Sequence, residues 1–380
     1  MGSPDVLDFE RLLAPIPGEN PAGRPLRADF SPTSLYQAIK GARSAARAGE
    51  RNTAWSDESD AQIADHRANW KRLLELAPKA IGEESKDFEI AAWLSEALVR
   101  ERGYAGLRDG FRLMRELAET FWDNLYPLPD EEGIATRTAP LAGLNGEESD
   151  GVILAPIAGV AVTAAGSCRP LTLADHRRAI DLDRLSDPDK RAQRIEQGTV
   201  TLQTFEKAVL ETPAEFYRGL LADLEACSLE FEKLCAVMEE KCGKDENGHS
   251  LAPPSSAIRE ALETSCSQVR GIARHVFPAE DGAELVAEEG GTAMVSLHGQ
   301  SLGLASVVRT REDAFRALLQ VADYFKRTEP HSPVAYSLEQ AVRWGRMPLP
   351  ELLTELIPEQ GAREQIFKVV GIKPPEPPAS

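Results

Sequence analysis

The residues with the clearest catalytic spacing are Gly299, Ser301 and Gly303, which fit the G-x-S-x-G pattern of a serine nucleophile on a tight turn. Asp323 and His331 follow in the chain order that a hydrolase triad requires. Such a hydrolase needs alternating strands and helices before its serine, whereas the preceding segment is predicted to be two helices and an acidic linker. We therefore favour a hairpin turn here, and a serine hydrolase using Ser301 is the alternative function.

A second set of reactive side chains is Cys235, Cys242 and His249, which follow one another at steps of seven residues. This spacing invites a metal site, but the sequence lacks the paired C-x-x-C ligands typical of zinc. Cys227 and Cys242 also fall in an apolar helical stripe, which favours buried thiols. No glycine-rich loop ends in Gly-Lys-Ser or Gly-Lys-Thr. We therefore expect no catalytic residue, no metal and no cofactor.

Composition narrows the class of protein further. The 380 residues carry a formal charge of −18, which excludes a general nucleic-acid binder because a phosphate backbone requires a basic face. Hydrophobic residues make up 42%, enough for real cores, and aromatic residues only 6%, which favours helices. No signal-like segment opens the chain, and the uncharged stretch Gly151–Cys168 is interrupted by Pro and Gly. A cytoplasmic protein without stable membrane insertion is expected.

Apolar periodicity predicts three packed helices in the N-terminal part. Their apolar positions begin at Trp70, Phe88 and Leu107, and Gly103 is expected to end the second helix. Ser85 is the expected N-cap of that second helix. The sequence predicts a mainly α fold, with an N-terminal helical domain over residues 1–150.

The next region is predicted to be a helical hairpin. Its first helix has an apolar stripe from Phe216 to Cys242 with steps of three and four, and its second helix begins near Ile258. We assign residues 151–280 to an extended segment plus this middle helical domain. An acidic linker is predicted over residues 281–295 and a C-terminal helical domain over residues 296–373. The last residues, 374–380, are predicted to be a disordered proline-rich tail.

Several segments in the same order along the chain resemble the TssA family of type VI secretion proteins, whose N-terminal domain is of the ImpA type. In the N-terminal part they are Pro15–Gly23, Ser85–Asp87, Ala91–Leu94, Gly103–Leu107 and Phe121–Pro127. In the C-terminal part they are Arg311–Ala314, Tyr324–Phe325, Glu329–Val334, Ala341–Trp344 and Met347–Leu349. Each segment alone is weak, but their joint occurrence is specific.

The resemblance implies a non-enzymatic bacterial assembly protein at the cytoplasmic face of a contractile secretion machine. It would act at the baseplate and help tube and sheath to assemble, as a homo-oligomeric ring built by its C-terminal region. Because the chain ends in a proline tail soon after Gly371, it is expected to be of the short, baseplate-associated type. Its partners would be baseplate, tube and sheath proteins, and no nucleic acid. An adaptor that forms no ring remains an alternative, motivated by the stripe from Phe216 to Cys242.

A ring needs a head-to-tail contact surface, and the C-terminal region offers the residues for it. The resemblance implies helix capping and subunit contact for Arg311 and His331, and exposed apolar positions are expected on the last helices. The residues predicted for protein interaction and oligomerisation are Arg311, Tyr324, Glu329, His331, Val334, Leu338, Arg343, Trp344 and Leu349.

Overall fold

Helices make up the secondary structure that the computed structural model shows, with isolated β-bridges but no strand among the described residues. The mainly α fold class is therefore confirmed. The chain divides into two compact units, Met1–Glu284 and Leu285–Ser380. The described residues are 2–53, 60–147, 150–277, 315–316, 318–319, 321–323, 326, 333–357 and 361.

The first unit contains the longer helices. In chain order they are α1 (Phe9–Leu13), α2 (Leu35–Thr53), α3 (Asp60–Lys79), α4 (Phe88–Phe121), α5 (Ile134–Asn145), α6 (Leu154–Ala158), α7 (Leu173–Asp183), α8 (Pro188–Glu196), α9 (Leu202–Glu211), α10 (Ala214–Cys242) and α11 (Ser256–Ile272). A 3₁₀ turn, Leu26–Ala28, precedes α2, and a π-helical turn, Ala80–Glu84, follows α3. In the second unit the helices are α12 (Pro333–Arg346) and α13 (Leu349–Leu356).

The start of α4 differs by two residues from the expectation. The cap is not Ser85 but Asp87, whose Oδ1 accepts from the backbone N–H groups of Glu89 at 2.8 Å and Ile90 at 3.1 Å. Ser85 is held in extended backbone because it forms a β-bridge with Gly23. The helix can therefore begin only after this pairing ends.

Gly103 interrupts α4, as the sequence predicts. Its φ of 60° and ψ of −145° are not helical, and they kink the helix between two regular segments. A Cβ atom at this position would lie 3.3 Å from Cγ1 of Val160. Glycine is therefore required here by backbone conformation and by close approach.

The predicted helical hairpin is confirmed as α10 and α11. Two ion pairs show that the helices are antiparallel, since Glu232 pairs with Arg259 whereas the earlier residue Glu225 pairs with the later Arg270. The central side chains of the α10 stripe are buried, and Phe231 packs on Phe111 of α4 with ring centroids 4.9 Å apart. The stripe is thus used inside the chain, which removes the observation that motivated the adaptor hypothesis.

The uncharged stretch after Gly151 forms the short helix α6 and then a packed loop. Val162 and Thr163 in this loop are fully buried. Thr172 and Asp175 form a capping box at the start of α7. No described helix is both long and apolar enough to span a membrane.

Candidate oligomerisation surface

The described part of the predicted surface lies on α12 and α13. Val334, Leu338, Arg343 and Trp344 are residues of α12, and Leu349 is the first residue of α13. Pro333 is the first residue of α12, a position at which its missing N–H group needs no partner. Outside the described residues lie Ser301 of the hydrolase alternative and four predicted contact residues, Arg311, Tyr324, Glu329 and His331.

Helix α12 has a buried stripe, and large exposed apolar side chains lie on its two flanks. Ala335 and Val342 are buried, with exposed fractions of 1% and 3%. Val334 is exposed to 42%, and so are two residues that sequence reasoning missed, Tyr336 at 61% and Leu356 of α13 at 49%. The apolar periodicity of α12 predicts its buried stripe, but it does not show which apolar positions beside that stripe stay exposed, because that depends on the elements packed around the helix.

The carboxylate of Glu355 ties α13 to α12. Its Oε1 accepts hydrogen bonds from Gln340 Nε2 at 2.9 Å, from Trp344 Nε1 at 3.1 Å and from Arg343 Nη2. Two predicted contact residues, Arg343 and Trp344, therefore hold this unit together from within. A contact with a second subunit by the same side chains stays a prediction.

Lys326 makes a further contact with α12. Its Nζ donates to Oε1 of Glu339 at 2.6 Å and lies 5.9 Å from the ring centroid of Tyr336. The hydrogen bond and charge of Glu339 raise the pKa of Lys326 above its ordinary value. The exposed Tyr336 ring thus has a cation over it, while Val334 and Leu356 offer apolar surface.

The cysteines of α10 lack the features of reactive or metal-binding thiols. Burial raises the pKa of Cys227 well above its ordinary value and that of Cys242 to about 11. Nδ1 of His249 lies 3.2 Å from a carboxylate oxygen of Asp245. In the part of the chain that the structure describes, no three His, Cys, Asp or Glu side chains form a group that could hold a metal ion.

Comparison with known proteins gives three matches. Residues 13–146 match the family model described as ImpA, N-terminal, type VI secretion system. The type VI secretion system component TssA1 of Pseudomonas aeruginosa is 26% identical over 357 residues, which are 93% of this chain and 96% of that protein.

A solved structure of the N-terminal domain, including the conserved ImpA_N region, of the TssA component from Burkholderia cenocepacia has a similar fold. The TM-score is 0.57 and the identity is 25%, covering 71% of this chain and 94% of that one. These matches confirm the resemblance inferred from the sequence: residues 13–146 are similar to the ImpA N-terminal family, and the chain is similar over most of its length to a TssA component of a type VI secretion system.

Proposed function

We propose that this chain is a non-enzymatic structural component of a type VI secretion system. It acts at the baseplate, as the short type of TssA protein, and promotes the assembly of tube and sheath as a ring-shaped homo-oligomer. The similarity to TssA1 along 93% of the chain supports a role in the same machine. The protein works at the cytoplasmic face of the machine, and its partners are baseplate, tube and sheath proteins.

The observation that carries the ring is the set of exposed apolar side chains on α12 and α13. Val334, Tyr336 and Leu356 are large apolar or aromatic residues that the unit itself leaves in solvent. A heterologous contact in which this surface of one subunit meets a different surface of the next would close into a ring. In the proposed domain organisation, residues 296–373 form the ring and residues 1–150 and 151–280 contact other components.

The ring is tested by measuring the mass of the full chain by light scattering, beside a chain that lacks residues 292–380. We expect the full chain to form an oligomer of one defined mass and the shortened chain to be smaller. Circular dichroism confirms that the shortened chain is folded. A full chain that is monomeric at micromolar concentration contradicts the proposal.

A further inference from the structure

A small pocket lies between the segment before α2 and the segment after α4. Pro25 and Leu26 line it from the first segment, and Tyr126, Pro127 and Leu128 line it from the second. Its volume of about 290 Å³ is at the lower end of the range for small-molecule sites, so it suits one or two side chains better than a large ligand. We call it the Leu128 pocket.

Backbone hydrogen bonds to the start of α4 hold the pocket in place. The N–H of Tyr126 donates to the carbonyl oxygen of Lys86 at 3.0 Å, and the N–H of Phe88 donates to the carbonyl oxygen of Tyr126 at 2.7 Å. Leu26, from the other segment, is almost completely buried. The pocket is therefore formed before a partner arrives, which lowers the ordering cost of binding.

Leu128 extends the apolar lining of the pocket to the surface. It is exposed to 47%, whereas Leu26 and Tyr126 are buried. A single exposed leucine is ordinary on a protein surface, but this one continues an apolar pocket. A partner side chain that fills the pocket would therefore bury Leu128 as well.

The charges around the pocket are mainly negative. Asp87 and Asp130 line it together with one cation, Arg27, which pairs with Glu89 at 2.7 Å. An adjoining cleft of about 780 Å³ shares Arg27 and Asp130 with the pocket. That cleft is lined by three arginines and by five carboxylates, those of Glu89, Glu96, Asp130, Glu131 and Glu132. Because carboxylates outnumber cations in both places, the surface favours an occupant with positive charge.

The carboxylate of Asp87 adds to this preference from inside the fold. The side chain is completely buried, and the two cap hydrogen bonds of α4 go to its Oδ1. Within the described residues, Oδ2 has no hydrogen-bond partner. Charges attract over several ångströms where water is excluded, so a cation at the rim would stabilise the ionised carboxylate without touching it.

We propose that the Leu128 pocket binds a segment of a partner protein in which a large apolar side chain lies next to a lysine or an arginine. The apolar side chain enters the pocket and packs on Leu26, Pro127 and Leu128, and the cation pairs with Asp130. A nucleic acid is disfavoured as the occupant because the same carboxylates repel its phosphates. The proposal does not depend on ring formation, and its failure would leave the test of the ring unaffected.

The test uses the full chain and a fluorescein-labelled dodecapeptide of Leu, Lys and Gly, with binding followed by fluorescence anisotropy. We expect the peptide to bind, and Leu128→Ser to weaken binding by about tenfold because it removes apolar contact area. Asp130→Asn should weaken binding by about threefold, since an exposed ion pair contributes little. The asparagine keeps the oxygen that accepts from the hydroxyl of Thr136.

Matched variants control for changes elsewhere on the surface. Leu229→Ser replaces a leucine of α10 that is exposed to 56% and does not line the pocket. Asp181→Asn removes an exposed carboxylate of α7. Both variants should bind the peptide as the natural chain does.

A series of peptides separates the pocket from the general attraction of an acidic chain for a basic peptide. A peptide with Ser in place of Leu keeps the charge and should bind about tenfold more weakly. A peptide with Glu in place of Lys should not bind. With photo-leucine in place of Leu, cross-links located by mass spectrometry should fall on the segments that line the pocket.

No binding of the Leu and Lys peptide, equal binding of the Ser peptide, or cross-links confined to other parts of the chain would each overturn the proposal. Unchanged affinity in a folded Leu128→Ser would do so as well. A lower oligomer mass of Leu128→Ser in light scattering would assign the pocket to a second copy of this chain and also overturn it. If circular dichroism shows that Leu128→Ser is unfolded, Asp130→Asn and the cross-links decide the question.

Discussion

Lys86 is the clearest case of a single side chain that joins distant parts of the fold. It is fully buried, and its Nζ donates to the carbonyl oxygens of Leu12 at 2.7 Å and Ile81 at 2.9 Å. Nζ also lies 5.5 Å from the ring centroid of Phe121. Burial lowers the pKa of Lys86 to about 8. The lysine thus links the ends of α1 and of the π-helical turn to the core around α4.

Replacing this lysine should destabilise the chain. In Lys86→Met two buried carbonyl oxygens lose their donor, and each unpaired group costs about 1–3 kcal/mol. We expect the free energy of unfolding, measured by urea denaturation of the first unit, to fall by about 2–4 kcal/mol. Lys190→Met, at an exposed position of α8, is the control and should change it little. Equal stability of the two variants would contradict this role for Lys86.

The raised pKa of Asp87 predicts that the stability of the chain depends on pH. Burial raises its pKa to about 6 from 3.8, while the charge of Arg27 and the backbone N–H groups of Ile90 and Glu89 oppose the shift. Between these two values the folded chain binds more protons than the unfolded chain. The contribution of this carboxyl to stability is therefore greatest below about pH 4 and is lost as the pH rises through 6.

The matched variant is Asp87→Asn, which keeps a capping oxygen but cannot ionise. We expect the stability of the natural chain relative to this variant to increase as the pH is lowered from about 7 to about 4. Urea unfolding of both proteins at several pH values measures the difference. A difference that stays constant with pH, or that decreases on acidification, would show that Asp87 keeps its ordinary pKa.

For single residues such as the cap of α4 and Lys86, the sequence does not predict the contacts that the structure shows. The segment Ser85–Asp87 reads as a helix start, but its spacing favours Ser85 as readily as Asp87 for the cap, because both residue types are good caps. What decides between them is the bridge from Ser85 to Gly23, a contact across a long stretch of chain. The role of Lys86 depends in the same way on carbonyl groups from two other segments. Sequence spacing contains no information on either contact.

Elements are predicted better than single contacts, because a helix is determined by neighbours in the sequence. The stripe from Phe216 to Cys242 predicts α10, and the apolar positions from Ile258 onward predict α11. Gly103 is predicted to end a helix, and it does interrupt α4. The packing of α10 on α4 is not predictable in this way, because an apolar stripe shows which side of a helix is buried but not which partner buries it.

Replacing a helical glycine by alanine is expected to have opposite effects on stability at two positions, Gly103 and Gly219. Gly103→Ala forces a side chain into a positive-φ conformation and towards Val160, so it should lower stability by about 1–3 kcal/mol. Gly219 lies within α10 with no atom close to an added Cβ. Gly219→Ala should therefore raise stability by about 0.5–1 kcal/mol. Thermal unfolding of both variants measures the signs, and a stabilising Gly103→Ala would refute the conformational argument.

For the whole molecule, the proposed ring has to bring together many copies of a chain whose net charge is −18. Like charges on subunits repel, so a ring needs contact surfaces where charge is low or paired and apolar area is available. The surface on α12 and α13 meets this need, since Arg343 is paired with Glu355 and Lys326 with Glu339 beside the exposed Tyr336. Elsewhere the excess acidic charge keeps the chain soluble and favours basic partner surfaces.

The last prediction separates assembly from folding within one small unit. Tyr336→Ser removes a largely exposed ring, so the oligomer mass should fall while the melting temperature stays nearly unchanged. Trp344→Ala should change the oligomer too, but it also removes the bond to Glu355 and should lower the melting temperature.

The control for both is Leu210→Ser, because Leu210 is exposed to 73% on α9 of the first unit. Light scattering and thermal unfolding are measured on all three full-length variants. Since a general loss of apolar surface would affect Leu210→Ser and Tyr336→Ser alike, a smaller oligomer in Tyr336→Ser alone locates the subunit contact on α12. If Tyr336→Ser keeps the full oligomer mass, the exposed ring of Tyr336 is not part of the subunit contact and the proposed location of that contact is wrong.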